Sequence, residues 1–482
     1  MYVAEYERIM KYLARQIKGT RFEGHVYAVG GCVRDTQIAK DEGKAGNIKD
    51  IDLVVDLPNG GIELAKYLKE KNRVKGSLVI YETFGTVMFR LKRYPDVELE
   101  AVQTRSECYR DENSRDPETS FGTIQQDAFR RDFTINALYY DISNKVQKDF
   151  NGHGLDDLRS HVIDTCGTPD IIFNEDPLRI MRAVRFAAKL SYSISDRTVE
   201  GIKKYVKRLE IISQERITDE FNKILVTDNP TYGLTKLQDY GIMEVIAPVL
   251  CKSLSTEAMI DLYNVSYYLK CHNLYAEQKE LLTYDRERMM LSAISYFTGP
   301  DEFKELMLKM KYSNDEINEV TNRAKLLESM RRAAVDKDFM ALHEIEYRCK
   351  TLFEYEKLYL LAKHIRDIPF WVPLNPYQEH PLIGYKMPVD GEWVMKRYNL
   401  NPGPKVGWVL TYFLKMVFSE PDKLQTIEDF ETVVSRGLLD VGSDPAVGII
   451  PKEGEVHVFG GFRSQQEYFL NKDKTVDSGT LS

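Results

Sequence analysis

The chain has 482 residues, with 66 Lys and Arg against 74 Asp and Glu and a net charge of −8. Such a length suggests two to four domains with ample chain to bury a core, and the charge excludes a uniformly basic coat, so an anionic polymer would have to meet a local patch. Six cysteines, at 32, 108, 166, 251, 271 and 349, form no C-x-x-C pair and no metal-ligand spacing, which points to reduced thiols in the cytoplasm. The N-terminal stretch alternates charged and apolar residues at helical spacing, and nowhere do 18 apolar residues run together, so neither a signal peptide nor a membrane span is expected.

Chemistry first shows between Val26 and Asp56. Val26 to Val29 reads as a buried strand ending on Gly30-Gly31, after which Cys32 to Ala39 can begin a helix. A chain leaving a strand through two glycines into a helix start presents free N–H groups that favour phosphate, with Arg34 beside it. Asp50 and Asp52 precede the apolar run Leu53-Val54-Val55, and residues i and i+2 of a strand share a face. Two carboxylates held side by side call for a cation, and hard Mg²⁺ suits them. Either feature alone is usually a turn or a solvated strand end; both in this order are a stronger signal.

A helix over 62–71 follows, then strands at 78–81, 86–91 and 97–102 with a turn at Tyr94-Pro95-Asp96. Glu98 and Glu100 share a face, so Glu100 is either a third carboxylate or a solvated acid on an edge strand. Residues 105–128 are polar, with Pro, Ser and Gly, and read as a mobile loop. In Arg130-Arg131-Asp132-Phe133-Thr134-Ile135-Asn136, Asp132 is expected to cap a helix that carries Asn136 one turn later on the same face. The group offers guanidinium donors for a triphosphate and a carboxylate plus amide for sugar hydroxyls; a plain capped helix is the alternative.

Residues 151–158 form a Gly-rich turn in which His153 reads as a turn residue rather than a base. A helix is expected from the cap Asn174 through Ala188, with Pro177 in its first turn. Arg179, Arg182 and Arg185 make a stripe opposite Ile180, Val184 and Ala187, either solvated or turned to function. Asp176 beside Arg179 pairs an acceptor with a donor, which can match the edge of a base. From Arg179 to Lys223 there are eleven Lys and Arg against six Asp and Glu, a candidate phosphate-facing surface that includes Lys203, Lys204, Lys207 and Arg208. The helix from Glu215 to Leu225 reads as scaffold, with Glu215 and Arg216 placed to brace the base-reading helix.

The ordered set GGCVRD, DID, RRDFTINAL, NGHGLDDL, EDPLRIMRAVRFAAKL and ERITDEF resembles the class II tRNA nucleotidyltransferases and bacterial poly(A) polymerases, a branch of the polymerase-β nucleotidyltransferases, over residues 20–250. The resemblance implies an α+β fold: a nucleotidyltransferase head of mixed sheet and helices, followed by all-α neck, body and tail. It implies Asp50 and Asp52 as ligands of two Mg²⁺ ions, Gly30, Gly31 and Arg34 around the triphosphate, and Arg131, Asp132 and Asn136 for triphosphate and ribose. Asp176 and Arg179 would pair with the incoming base, selecting CTP or ATP without a nucleic-acid template, and the loop would couple that choice to closure.

A Gly-Arg-Arg-Phe-like stretch of the poly(A) polymerases is absent from residues 72–79, which favours CCA addition to tRNA over poly(A) synthesis; whether all of CCA, only CC or only A is added depends on loop geometry. The insert Thr36 to Lys49 is longer than expected. No His-Asp dipeptide occurs in the chain, so a phosphohydrolase activity is not expected. Residues 254–370 show helical apolar periodicity suited to holding an RNA stem by its shape, and 373–388, with four prolines, read as a linker. The segment 391–407 resembles the tail of CCA-adding enzymes, with Lys405 at a helix start facing phosphate. The resulting domains are a head (1–150), neck (151–250), body (251–372), tail (389–451) and loose end (452–482). A non-catalytic RNA-binding protein and a small-molecule nucleotidyltransferase are the alternatives of other classes.

Overall fold

Why Asp52 can sit half-buried in a strand is answered by the sheet around it. The computed structural model describes residues 2–43, 48, 50–82, 85–108, 118–271, 283–349, 351–369 and 382–435. The chain divides into two units, one of 1–266 with 301–317 and one of 267–300 with 318–482.

The first unit opens with helix α1 (Val3–Ile17), which buries Tyr6, Ile9, Met10, Leu13 and Ile17 at helical spacing. Strand β1 (Val26–Val29), helix α2 (Gly31–Asp41), strand β2 (Ile51–Val55) and helix α3 (Gly60–Glu70) follow, then strands β3 (Val74–Tyr81), β4 (Thr86–Leu91) and β5 (Tyr94–Gln103). With β8 (Leu138–Asp141) and β9 (Val146–Asp149) these five strands make one sheet in the order β3-β4-β5-β2-β1-β8-β9. Only β2 and β5 pair in parallel; the other neighbours are antiparallel. The nearly continuous apolar sequence of β2 suits its central place, covered on both faces. Helix α3 lies directly on β5: a Cβ at Gly61 would come within 2.7 Å of the Ala101 and Val102 main chain.

Five expectations change here. Strand β5 lies between β4 and β2 rather than at an edge, and it begins at Tyr94, so Lys92-Arg93 makes the turn. The segment read as a loop contains a two-stranded ribbon, β6 (Arg105–Cys108) with β7 (Glu118–Phe121), and helix α4 (Ile124–Phe129), capped reciprocally by Thr123 and Gln126. Arg130 ends that helix, and Asp132 lies in a bend, followed by extended Phe133 and a single 3-10 turn, Thr134–Asn136. The helix expected from Asn174 is two helices, α6 (Pro169–Glu175) and α7 (Leu178–Leu190). Asn174 therefore lies inside α6. Pro177 forces Asp176 out of helical conformation, at φ −139° and ψ 99°.

Helices α5 (Gly154–Ser160), α8 (Asp196–Tyr205) and α9 (Gln214–Leu225) complete the surroundings of the site, with α9 packed on α7. Helix α9 buries Ile217, Phe221, Ile224 and Leu225, as its periodicity predicts. The second unit is helical where described. Met289, Met290 and Ile294 are core there; Lys357 and Asp285 form a buried ion pair at 2.6 Å. Val409, Phe413, Val417 and Phe430 knit the helices Pro404–Ser419 and Ile427–Ser435. Most of the proline-rich linker and everything beyond 435 lie outside the described residues.

Candidate active site

Strand pairing aligns the acidic residues. Asp52 lies opposite Val29 on one side and Glu100 on the other, and Val29 lies opposite Tyr139. Directly paired residues share a face, so Tyr139, Val29, Asp52 and Glu100 form one row across the sheet. Asp50, exposed just ahead of β2, projects to the same side by its i, i+2 relation to Asp52. Burial, then the charges of Asp50 and Glu100, push the Asp52 carboxyl up to about 6 against the opposing pull of Arg131. Burial likewise raises Glu100. Gly30 takes φ 78°, and a Cβ there would stand 3.5 Å from Asp52 Oδ2, so its bare backbone leaves room beside that carboxylate. The like charges of Asp50 and Glu100 thus act on Asp52, and paired carboxylates suit a hard divalent cation, although among the described residues no three His, Cys, Asp or Glu side chains already converge as a metal cluster.

Beside this row runs a chain of paired charges. Arg34, almost fully buried, donates from Nη1 to Asn136 Oδ1 and from Nε to Asp35 at 2.7 Å. Asn136 Nδ2 donates to Asp132 Oδ1 at 3.1 Å, and Arg182 grips Asp132 Oδ2 with Nε and Nη2 at 2.9 and 2.5 Å. The 3-10 turn thus brings Asp132 and Asn136 together, although no α-helix carries them. Burial opposes the charge on Asp132, yet Arg182 and the Asn136 hydrogen bond hold its carboxyl down at about 2. Farther along, Arg185 Nε lies 3.0 Å from buried Glu220 without hydrogen-bond geometry. The guanidiniums of Arg34, Arg182 and Arg185 surround the Phe186 ring at 5.2, 5.4 and 4.6 Å.

Sequence reasoning missed Asp127. This wholly buried carboxylate accepts from Arg130, Arg131, the Tyr139 hydroxyl and the Arg105 main chain. Burial works against its charge, but Arg131, Arg130 and Tyr139 bring it down to about 2. Its spacing of three and four from Arg130 and Arg131 is the signal that could have found it. Glu220, read only as scaffold, was missed too.

The arginine stripe of α7 is turned inward rather than solvated. Arg179 donates to Glu175 at 2.9 Å and to the Ile172 and Arg130 carbonyls. Asp176 accepts from Leu178 N–H and from Arg216, 3.0 Å away, so Arg216 does brace this corner while Glu215 is exposed. Asp176 and Arg179 are close in chain but engaged with different partners. The cationic surface of this region therefore rests less on the stripe than on Lys203, Lys204, Lys207 and Arg208. Of these, Lys203 lies over the Tyr240 ring, Lys204 pairs with Asp170 at 3.0 Å, Lys207 is exposed, and Arg208 donates to the Asn174 carbonyl. Lys405 sits at the second position of the helix Pro404–Ser419.

The family described as the poly A polymerase head domain matches residues 26–164, and that described as the probable RNA and SrmB-binding site of polymerase A matches 191–254. The CCA-adding enzyme of Limosilactobacillus reuteri is 30% identical over 392 residues, 80% of this chain and 86% of that protein. The chain belongs to the class II CCA-adding enzyme and bacterial poly(A) polymerase family. Poly(A) polymerase I of Salmonella typhimurium is 32% identical over 231 residues, 47% of each chain. The Thermotoga maritima CCA-adding enzyme, solved complexed with tRNA, shares the fold with a TM-score of 0.60 at 22% identity, over 90% of this chain and 95% of that one. As a member of this family the protein is a nucleotidyltransferase, an enzyme class that typically uses divalent metal ions. Every carboxylate of the sheet row lies within the head match. Among the described residues no helix is long and apolar enough to cross a membrane.

Proposed function

We propose that this protein is a CCA tRNA nucleotidyltransferase that extends the 3′ end of tRNA from CTP and ATP without a template, releasing pyrophosphate. What carries the choice over poly(A) synthesis is extent: the likeness to the Limosilactobacillus reuteri CCA-adding enzyme runs over 80% of the chain, that to poly(A) polymerase I over 47%. In this reading the head spans 1–150, the neck 151–250, the body 251–372 and the tail 389–451.

Asp50 and Asp52, with Glu100 as a third donor, would hold two Mg²⁺ ions, which supply acidification of the attacking 3′-hydroxyl and neutralisation of the triphosphate and leaving pyrophosphate. The protein's own residues then have mostly to position and to balance charge. The N–H groups following Gly30 and Gly31 and the Arg131 guanidinium receive the triphosphate. Asp132 and Asn136 receive the ribose, with Arg34 and Arg182 orienting them through the hydrogen bonds described above. Asp176 and Arg179 read the base, and Arg179 must exchange its Glu175 and main-chain partners to do so. Arg185 supports α7 from Glu220. Lys203, Lys204, Lys207, Arg208 and Lys405 meet the tRNA backbone. The setting is the cytoplasm, where free thiols such as Cys32 and Cys166 persist.

The test incubates the purified protein with Mg²⁺, CTP, ATP and tRNA transcripts ending before CCA, after CC, or complete, resolved to single nucleotides. Growth by three residues that then stops is the expected result. A growing ladder of A on any RNA would instead make the protein a poly(A) polymerase, and single additions would mark a CC- or A-adding enzyme.

A further inference from the structure

Asp127 belongs neither to the carboxylate row nor to the chain of charges from Arg34 to Arg182, yet among the described residues of the head it is a densely hydrogen-bonded acid. Its oxygens divide the work. Oδ1 accepts from Arg130 Nη2 at 2.7 Å and from the Arg105 main-chain N–H at 3.3 Å. Oδ2 accepts from Arg131 Nη2 at 3.0 Å and from the Tyr139 hydroxyl at 2.7 Å. Arg131 Nε donates in turn to the Tyr139 oxygen at 2.9 Å, and its guanidinium lies 5.3 Å from that ring's centre. Tyr139 stands in the same sheet row as Asp52, with Val29 between them.

Nε and Nη2 of Arg131 are therefore fixed from behind, while Nη1 makes no hydrogen bond among the described residues. A long side chain that would otherwise sample many rotamers is left one orientation and one open edge. We propose that Asp127 is a positioning residue for nucleotidyl transfer, which, with Tyr139, clamps Arg131 so that its open edge meets the triphosphate of the incoming nucleotide beside Asp52. Preorganisation of this kind removes reorientation of the charge from the reaction. The inference rests on the reading of Arg131 as a triphosphate-binding residue.

The experiment is steady-state kinetics of the full chain on a tRNA transcript ending before CCA or after CC, with CTP or ATP varied. For Asp127→Asn the KM for both nucleotides should rise alike, about tenfold, with the KM for tRNA within about twofold. Tyr139→Phe keeps the ring and removes only the hydroxyl, and should move nucleotide KM in the same direction by about threefold. Asp127→Glu should recover part of the loss. Unchanged nucleotide KM with a fall in kcat alone would overturn the proposal, as would a silent Tyr139→Phe where Asp127→Asn fails to fold. Arg131→Ala separates the two readings. If it raises nucleotide KM while Asp127→Asn and Tyr139→Phe do not, only the clamp is wrong; if it leaves KM unchanged, the triphosphate role of Arg131 falls and the clamp with it.

Discussion

Replacing Asp132 by Asn should destabilise the first unit at neutral pH and much less in acid. Asp132 is 8% exposed, and burial opposes its charge while Arg182 holds its carboxyl at about 2, well below the ordinary carboxylate range, which corresponds to about 2 kcal/mol. The folded value is depressed, so this stability is fully present above about pH 5 and is lost as pH falls through about 2. About half of it remains at pH 3 by the same relation. An asparagine in this place cannot carry the charge that faces Arg182, so the variant lacks this pH-dependent part. Urea unfolding, followed at pH 7 and at pH 3 for both proteins, measures it. The stability gap should narrow by about 1 kcal/mol between the two pH values. A gap that stays constant would show that Arg182 holds Asp132 through shape alone and would refute the electrostatic account.

Asp52→Asn should lower kcat at least about a thousandfold with the fold intact by circular dichroism, since it removes the central donor of the carboxylate row; activity near wild type would remove Asp52 from the chemistry. Chelation should abolish nucleotide addition and readdition of Mg²⁺ restore it, whereas activity that survives chelator would contradict a metal-dependent site. Gly61→Ala would set a methyl 2.7 Å from the Ala101 backbone, so its melting temperature should fall by several degrees from strain of about 1–3 kcal/mol. In the second unit, Lys357→Met leaves Asp285 buried without its ion-pair partner and should cost about 3–5 kcal/mol, while a double change to apolar residues should recover most of it; a denaturation cycle checks the sign.

Much of the catalytic head can be read along the chain because its signals are local. Gly30-Gly31 ends a strand whatever lies around it, and Asp50-Ile51-Asp52 places two carboxylates on one face by the two-residue period alone. Elsewhere a local rule loses to a tertiary one. Asp132 and Asn136 look like one face of a helix, but the bonds to Arg34 and Arg182 draw them together through a single 3-10 turn. Pro177 breaks what periodicity joins, because its ring restricts the residue before it.

What the sequence alone determined is the kind of chemistry: paired acids, a glycine turn and arginines in an order that marks a nucleotidyltransferase. Only the tertiary structure decided which of those charges are available. It placed Glu100 opposite Asp52 in a central strand rather than at a sheet edge, with its side chain still exposed. It turned Arg179, Arg182 and Arg185 inward against Glu175, Asp132 and Glu220, and it revealed Asp127 beneath Arg131. A charge's partner is set by strand register and helix packing between segments far apart in the chain, which no local period encodes.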